Sequence, residues 1–367
     1  MDMSTNLSFA GCGFIGVYYV GVSACLKKFA PHLLKNKIGG ASAGSLAALA
    51  LVCDLPLAEV TKEVVMVAFE ANGKKLGPFN PKFNLHKKIK SILNSFPEDI
   101  AEKSNGRLHI SLTQASKMKN LLISEFQSKE DLVDAVCASS FVPLMSGVKP
   151  PRFRGKRVLD GLYSDNIPHL GGNTITVSPF MGDASISPKD DLVSSMILNI
   201  PYGSGGSMKL SSGNMKKLRK ALLPPNTRKM KKICEEGFLD AMRFLQKEKL
   251  IRCQSCLESH DDVSTDLLNS CEQCDTLIQS AKEEKIPDEI VKVFDEVKEL
   301  EKSRKGLGLS NLSLSSQIAI NSTASLMSNT RNWISKMSRS SLSLFNDYNE
   351  ASSMKGRITF HQEYLSN

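Results

Sequence analysis

Gly40-Ala41-Ser42-Ala43-Gly44 closes a short apolar segment and opens an Ala/Leu-rich one. This is the G-x-S-x-G pattern of a nucleophile elbow: a strand ends, the chain turns sharply, and a helix begins with the serine at its tip. Glycine suits both ends because a side chain would clash in so tight a turn. Upstream, Gly11-Cys12-Gly13-Phe14-Ile15-Gly16 is a second glycine loop, whose exposed N–H groups at the start of another helix suit the holding of an oxyanion. Periodicity predicts strands over 7–10 and 37–40 and helices over 14–29 and 43–53. A serine nucleophile and a place for negative charge are the two halves of acyl transfer.

The alternation continues outward. Residues 105–112 and 120–124 read as paired strands, 129–139 as a helix and 173–177 as a strand. The pattern predicts an α/β fold with a mainly parallel central sheet over 6–188. A Gly/Ser linker at 203–206 leads into a basic helical extension over 207–250, with helices at 214–222 and 227–250 separated by Pro224-Pro225. In the second helix Met230, Ile233, Cys234, Phe238, Ala241 and Leu245 keep an apolar stripe. A cysteine-bearing segment covers 251–276. An amphipathic helix over 286–305 places Ile290, Val293, Phe294, Val297 and Leu300 on one face. A Ser/Asn-rich tail over 306–367 has the composition of a disordered segment.

With 367 residues and 41% apolar content, the chain can bury one large core beside a smaller appendix. Residues 7–26 carry no charge, but Gly11, Gly13, Gly16 and Gly21 interrupt them and no basic residue precedes Lys27. That argues against a signal peptide or a membrane span and leads to the expectation of a cytoplasmic protein that meets membranes peripherally. Nine cysteines fit a reducing compartment, with Cys12, Cys25, Cys53 and Cys137 expected as small core residues. The net charge of +9 is concentrated: Lys216, Lys217, Arg219, Lys220, Arg228, Lys229, Lys231 and Lys232 fall between Asp191 and Glu235, where no acid occurs. The patch lacks interleaved aromatics and any nucleic-acid-binding motif, so nucleic acid is not an expected partner.

Ser42 needs a base. His169, His260 and His361 lie downstream, but each falls in a turn, the cysteine segment or the tail, where a surface histidine is the ordinary reading. Val158-Leu159-Asp160-Gly161 is an apolar strand end followed by Asp-Gly. An α/β fold displays reactive groups at such ends, and a buried aspartate beside a serine at a helix N-terminus can take its proton directly. Asp-Gly is equally a common turn dipeptide, and the residues alone leave both readings standing.

The glycine loop, Gly40–Gly44 and Asp160-Gly161, in this order and at these distances, resemble the patatin-like phospholipase family. The segments at 7–13, 39–44, 105–113, 150–155 and 173–180 resemble its triacylglycerol-lipase branch, and the likeness runs over roughly 6–250. Cys12 and Ile15 depart from the plant-type loop but agree with that branch. The resemblance implies a patatin-like three-layer fold and a serine–aspartate dyad without histidine, with Ser42 as nucleophile and Asp160 as base. It implies an oxyanion hole from the amides of Gly11, Cys12 and Gly13, no cofactor for catalysis, and hydrolysis of triacylglycerol to diacylglycerol and fatty acid at a lipid-droplet surface. It also implies an α/β-hydrolase-type coactivator and droplet-coat proteins as partners. Phospholipid hydrolysis and acyl transfer between glycerides would use the same dyad, and a non-catalytic droplet scaffold is the reading from another class.

Three features stand outside the dyad. Cys253-x-x-Cys256 and Cys271-x-x-Cys274 have the spacing of a tetrahedral zinc-thiolate site, with free thiols or a redox-sensitive pair as the other readings. Such a zinc would be structural, tying the end of the 227–250 helix to the chain after it. Met215, Leu218 and Leu222 share one face of a helix whose other face holds Lys216, Lys217, Arg219 and Lys220, which suits either an anionic lipid surface or packing on the domain. In the tail, Trp333, Ile334, Met337, Leu344 and Phe345 lie among Arg331, Lys336 and Arg339, a pattern open to a weak basic amphipathic helix or to an unstructured, phosphorylatable segment.

Overall fold

A computed structural model describes residues 5–189, 199–201, 204–253, 255–256 and 271–306. The expectations for the tail beyond 306 and for His260 fall outside these residues. Met1–Asn311 forms one compact unit.

Seven strands make the central sheet: β1 (Asn6–Phe9), β2 (Ile38–Gly40), β3 (Leu108–Gln114), β4 (Lys119–Ile123), β5 (Arg152–Phe153), β6 (Lys156–Asp160) and β7 (Thr174–Val177). Their order is β5-β6-β3-β2-β1-β7, with β4 also on β3. A second small sheet pairs β8 (Asn199–Pro201) with β9 (Ser207–Lys209). Leu7, Ser8 and Phe9 are all fully buried. Successive strand side chains point to opposite faces, so both faces of the sheet are covered, as in a three-layer α/β architecture.

The sheet is mixed rather than mainly parallel. β1–β2, β1–β7 and β2–β3 are parallel, whereas β3–β4, β3–β6 and β5–β6 are antiparallel. The reason lies in the connection from β3 to β4: residues 115–118 form a turn, and a parallel return needs a crossover of a dozen residues or more.

The registers on β3 position the site. β4 pairs with Ile110–Gln114, and β6 pairs across from Leu112, Thr113 and Gln114. A strand has two edges, so β4 and β6 occupy opposite ones. β2 pairs with Leu108, His109 and Ile110, and sharing Ile110 with β4 puts β2 on the β6 edge. The C-terminal ends of β2 and β6 therefore meet head to head, with Gly40 opposite Ile110 and Asp160 opposite Leu112. Two residues of strand separate them, about 6–7 Å.

The helices are α1 (Val17–Phe29), α2 (Ala43–Val52), α3 (Leu57–Asn72), α4 (Leu85–Asn94), α5 (Ile100–Ser104), α6 (Lys129–Ser139), α7 (Ser212–Leu222), α8 (Thr227–Lys247), α9 (Glu272–Glu283) and α10 (Asp288–Gly306). A single 3-10 turn, Gly13–Gly16, precedes α1. α1 is apolar nearly all round and nearly all buried, as a helix without a polar face must be. α8 packs against it through two glycine notches: a Cβ on Gly21 would come within 1.9 Å of the Cys234 carbonyl oxygen, and one on Gly237 within 2.1 Å of that of Tyr18. The expected α8 stripe, Met230 through Leu245, is buried there, and Tyr18 donates to Asp240 at 2.7 Å. α10 buries Ile290, Val293, Phe294 and Val297. Arg304 fixes its end on α3 by donating to the Phe69 carbonyl at 2.9 Å, and its guanidinium lies 4.2 Å from the centre of the Phe69 ring.

Candidate active site

β2 ends at Gly40 and α2 begins at Ala43, which leaves Ser42 at the turn with φ 53 and ψ −126. A non-glycine residue with this backbone is strained, and such strain persists only where surrounding contacts over-determine it. Here they do. The Ser42 N–H donates to Ser139 Oγ at 2.9 Å, and Ser139 donates onward to the Ser111 carbonyl at 2.8 Å. Ser45 Oγ donates to the Ser42 carbonyl at 2.7 Å. The flanking glycines are required by close approach to β1: a Cβ on Gly40 would lie 2.3 Å, and one on Gly44 2.1 Å, from the Phe9 carbonyl oxygen.

Asp160 is fully buried, and its side chain caps the adjoining 3-10 turn, accepting from the Leu162 N–H at 2.9 Å. Its other oxygen, Oδ2, is buried with no hydrogen-bond partner. Burial raises the carboxyl from 3.8 to about 7. The Leu162 amide and then the Ser42 side chain act the other way. Ser42 thus faces the carboxyl, although its hydroxyl closes no hydrogen bond of normal geometry with Oδ2. Thr113 Oγ1 donates to the Asp160 carbonyl at 2.7 Å and fixes the backbone at that point. Gly161 is held against β3, where a Cβ would come within 2.4 Å of the Ser111 carbonyl oxygen.

The upstream glycine loop borders the serine. A Cβ on Gly11 would meet Asn166 Oδ1 at 2.5 Å and Ser42 Cβ at 3.0 Å. The Gly11 N–H donates to Asn166 Oδ1 at 3.0 Å, and Asn166 Nδ2 returns a hydrogen bond to the Gly11 carbonyl at 3.2 Å. Among the described residues the amides of Cys12 and Gly13 meet no acceptor. Of the three expected oxyanion donors, Gly11 is therefore committed to Asn166, while Cys12 and Gly13 present unused N–H groups. Gly13 has φ 55 and sits under the end of α7, where a Cβ would come within 2.3 Å of the Ala221 carbonyl oxygen. The Cys12 thiol is pushed up to about 12 by burial, so it stays protonated and offers no competing nucleophile.

Asn166 and Ser139 hold the backbone of the candidate site, and the sequence does not reveal them. Neither belongs to a spacing motif, and both act through partners far along the chain. His169, the described member of the three alternative bases, contacts Thr174 Oγ1 at 3.1 Å and is exposed.

The four expected metal ligands converge. The Sγ atoms of Cys253, Cys256, Cys271 and Cys274 all lie within 4.8 Å of one another. Cys253 and Cys271 are 3.6 Å apart, and Cys256 and Cys274 3.7 Å. A tetrahedron with metal–sulfur bonds of about 2.3 Å has edges of about 3.8 Å, so the spacing fits a tetrathiolate. The Cys256 backbone amide, with the neighbouring thiols, lowers Cys253 to about 7.

Residues 7–171 match the patatin-like phospholipase family. Human patatin-like phospholipase domain-containing protein 4 is 36% identical over 248 residues, which cover 66% of this chain and 97% of that one. The chain belongs to the patatin-like phospholipase family. Human patatin-like phospholipase domain-containing protein 2 is 44% identical over 254 residues, covering 68% of this chain and 50% of that protein. The mouse 1-acylglycerol-3-phosphate O-acyltransferase Pnpla3 is 41% identical over 270 residues, covering 69% and 65%. The chain thus spans between half and two thirds of the length of these last two relatives.

Proposed function

We propose that the chain is a serine esterase that hydrolyses triacylglycerol to diacylglycerol and free fatty acid at a lipid-droplet surface. The observation that carries the catalytic part is the strained Ser42 facing a buried Asp160 whose Oδ2 has no other partner. In the first step Ser42 Oγ bonds to the ester carbonyl carbon and its proton passes to Asp160 Oδ2. The carbonyl electrons move onto oxygen, where the amides of Cys12 and Gly13 receive the charge. Collapse breaks the bond to the glyceride oxygen, which takes the proton from Asp160 and leaves as diacylglycerol. Water then attacks the acyl-serine, with Asp160 again the base, and fatty acid departs as Ser42 recovers its proton. A carboxyl at about 7 is matched to this double duty near neutrality.

The substrate class rests on the resemblance of the motifs to the triacylglycerol-lipase branch, and partners such as an α/β-hydrolase-type coactivator and droplet-coat proteins rest on the same resemblance. A second reading has a specific support: a relative at 41% identity is named an acylglycerol-phosphate acyltransferase. There the acyl-serine would be taken by a lipid hydroxyl in place of water. Cys253, Cys256, Cys271 and Cys274 are proposed to hold a structural zinc linking the segment after α8 to the start of α9, with no role in the acyl transfer.

The test is fatty-acid release from emulsified triacylglycerol, with phospholipid vesicles alongside, by the wild type and Ser42→Ala. Release from triacylglycerol that vanishes in the variant supports the reading. Release confined to phospholipid, or transfer to added lysophosphatidate in preference to water, overturns the substrate while keeping the dyad.

A further inference from the structure

α7 does not bury its apolar stripe. Its inward residues are polar or small: Asn214 and Ala221 are buried, and Lys217 is half-buried between them. Asn214 accepts from the Met181 N–H at 2.9 Å and donates to the Met181 and Lys209 carbonyls at 2.8 and 2.7 Å. The Lys217 ammonium is held at 2.7 Å from Glu236 and 2.9 Å from the Pro179 carbonyl. These bonds fix the rotation of the helix. With 3.6 residues per turn, they force Met215, Leu218 and Leu222 outward, where the three are 52%, 37% and 43% exposed. A helix that packed for its own stability would be turned by about 100° to bring this stripe inward.

Two further observations say what meets this face. Lys216 and Arg219 are exposed and Lys220 half-exposed beside the apolar stripe, and none forms an ion pair among the described residues. The stripe also ends at the oxyanion loop, because Ala221, next to Leu222, is the residue against which Gly13 is packed. An apolar stripe collared by unpaired cations fits the acyl region and anionic headgroups of a lipid interface. A soluble ligand would leave the apolar side chains in water.

We propose that α7 is the element by which this chain docks on lipid, inserting Met215, Leu218 and Leu222 below the headgroups while Lys216, Arg219 and Lys220 pair with anionic ones. This deepens the lipase reading by naming the face that meets the substrate phase, beside the glycine loop that borders Ser42. It rests on that reading only for its purpose, since docking itself requires no turnover.

The chain has a single tryptophan, Trp333, which makes a direct test available. In the 367-residue chain carrying Ser42→Ala and Trp333→Phe, Leu218→Trp places a reporter on the stripe, and Leu239→Trp places one at an exposed position on α8. Both are titrated with phosphatidylcholine vesicles, with and without phosphatidylserine, some containing brominated acyl chains. The expected result is a blue shift and bromine quenching for the α7 reporter and neither for the α8 reporter. Replacing Lys216, Arg219 and Lys220 by Gln should weaken the phosphatidylserine-dependent binding by about five-fold per charge. An α7 reporter that stays at its aqueous emission while the protein co-floats with vesicles overturns the proposal and assigns binding to another segment. No binding to either vesicle also overturns it and leaves the stripe to a protein partner. Because every protein in this experiment lacks Ser42, none of these results depends on whether triacylglycerol is the substrate.

Discussion

Gly11 and Asn166 exchange hydrogen bonds in both directions, N–H to Oδ1 at 3.0 Å and Nδ2–H to carbonyl at 3.2 Å, across 155 positions of chain. One amide side chain thereby sets the backbone of the loop whose next two N–H groups are free to meet an oxyanion. An aspartate there could accept but not donate, and alanine could do neither. Asn166→Ala is expected to lower kcat by about 10²-fold, comparable to losing an oxyanion donor, with KM little changed. The rate at which a phosphonate labels Ser42 should fall in parallel, whereas a purely structural role would lower the amount of folded protein and not the labelling rate.

Asp160 should set the acid limb of the pH profile. As a base it must be ionised, so kcat/KM should rise about tenfold per pH unit below about 7 and level off above it. The stability consequence has the opposite sign. A carboxyl raised from 3.8 unfolded to about 7 folded binds more protons in the native state, so folding is favoured below 3.8 and progressively less so up to about 7. Asp160→Asn should abolish turnover and, above pH 7, stabilise the fold by at most about 4 kcal/mol. Thermal unfolding of both proteins at pH 5 and pH 8 reads this, and a variant less stable at the higher pH would contradict it.

The elbow should depend on Ser139. Ser139→Ala removes the acceptor for the strained Ser42 N–H and is expected to cost about 1–3 kcal/mol of stability for the unsatisfied buried amide, together with a loss of activity. Ser139→Cys, a weaker acceptor, should fall between. Urea unfolding and ester hydrolysis measured on the same preparations distinguish the two effects.

Metal analysis of gently purified protein should find one zinc per chain, and Cys271→Ser should lower that content. Chelation is expected to lower the thermal midpoint while leaving phosphonate labelling of Ser42 in place at temperatures below the transition. Zinc content near zero in the wild type would count against the tetrathiolate.

Much of the fold is legible in the sequence because local rules and tertiary contacts agree. The elbow, the upstream glycine loop, α6 and the α8 and α10 stripes all follow from glycine placement or from apolar spacing within one element. The antiparallel side of the sheet is less visible, because the pairing of β6 with β3 is a property of register and not of either strand's composition. α3 and α4 do not stand out from periodicity, although α3 buries Thr61, Val65, Ala68 and Phe69 at helical spacing; the charges interleaved along it blur the pattern. Asn166 and Ser139 escape because a side chain that bonds a backbone far along the sequence leaves no periodic trace. The four cysteines proposed to hold zinc are readable as a spacing, but only the folded chain shows their sulfurs within 4.8 Å of one another.

The notches at Gly21 and Gly237 carry a practical lesson about where this polypeptide can be shortened. α1 begins immediately after the upstream glycine loop, and the groove it offers is filled by backbone of α8, more than two hundred residues later. A fragment stopping at 171, where the family match ends, would leave Tyr18 and its neighbours facing water. Shortened forms that omit Thr227–Lys247 should accordingly be recovered as aggregates, and those that keep it as soluble protein.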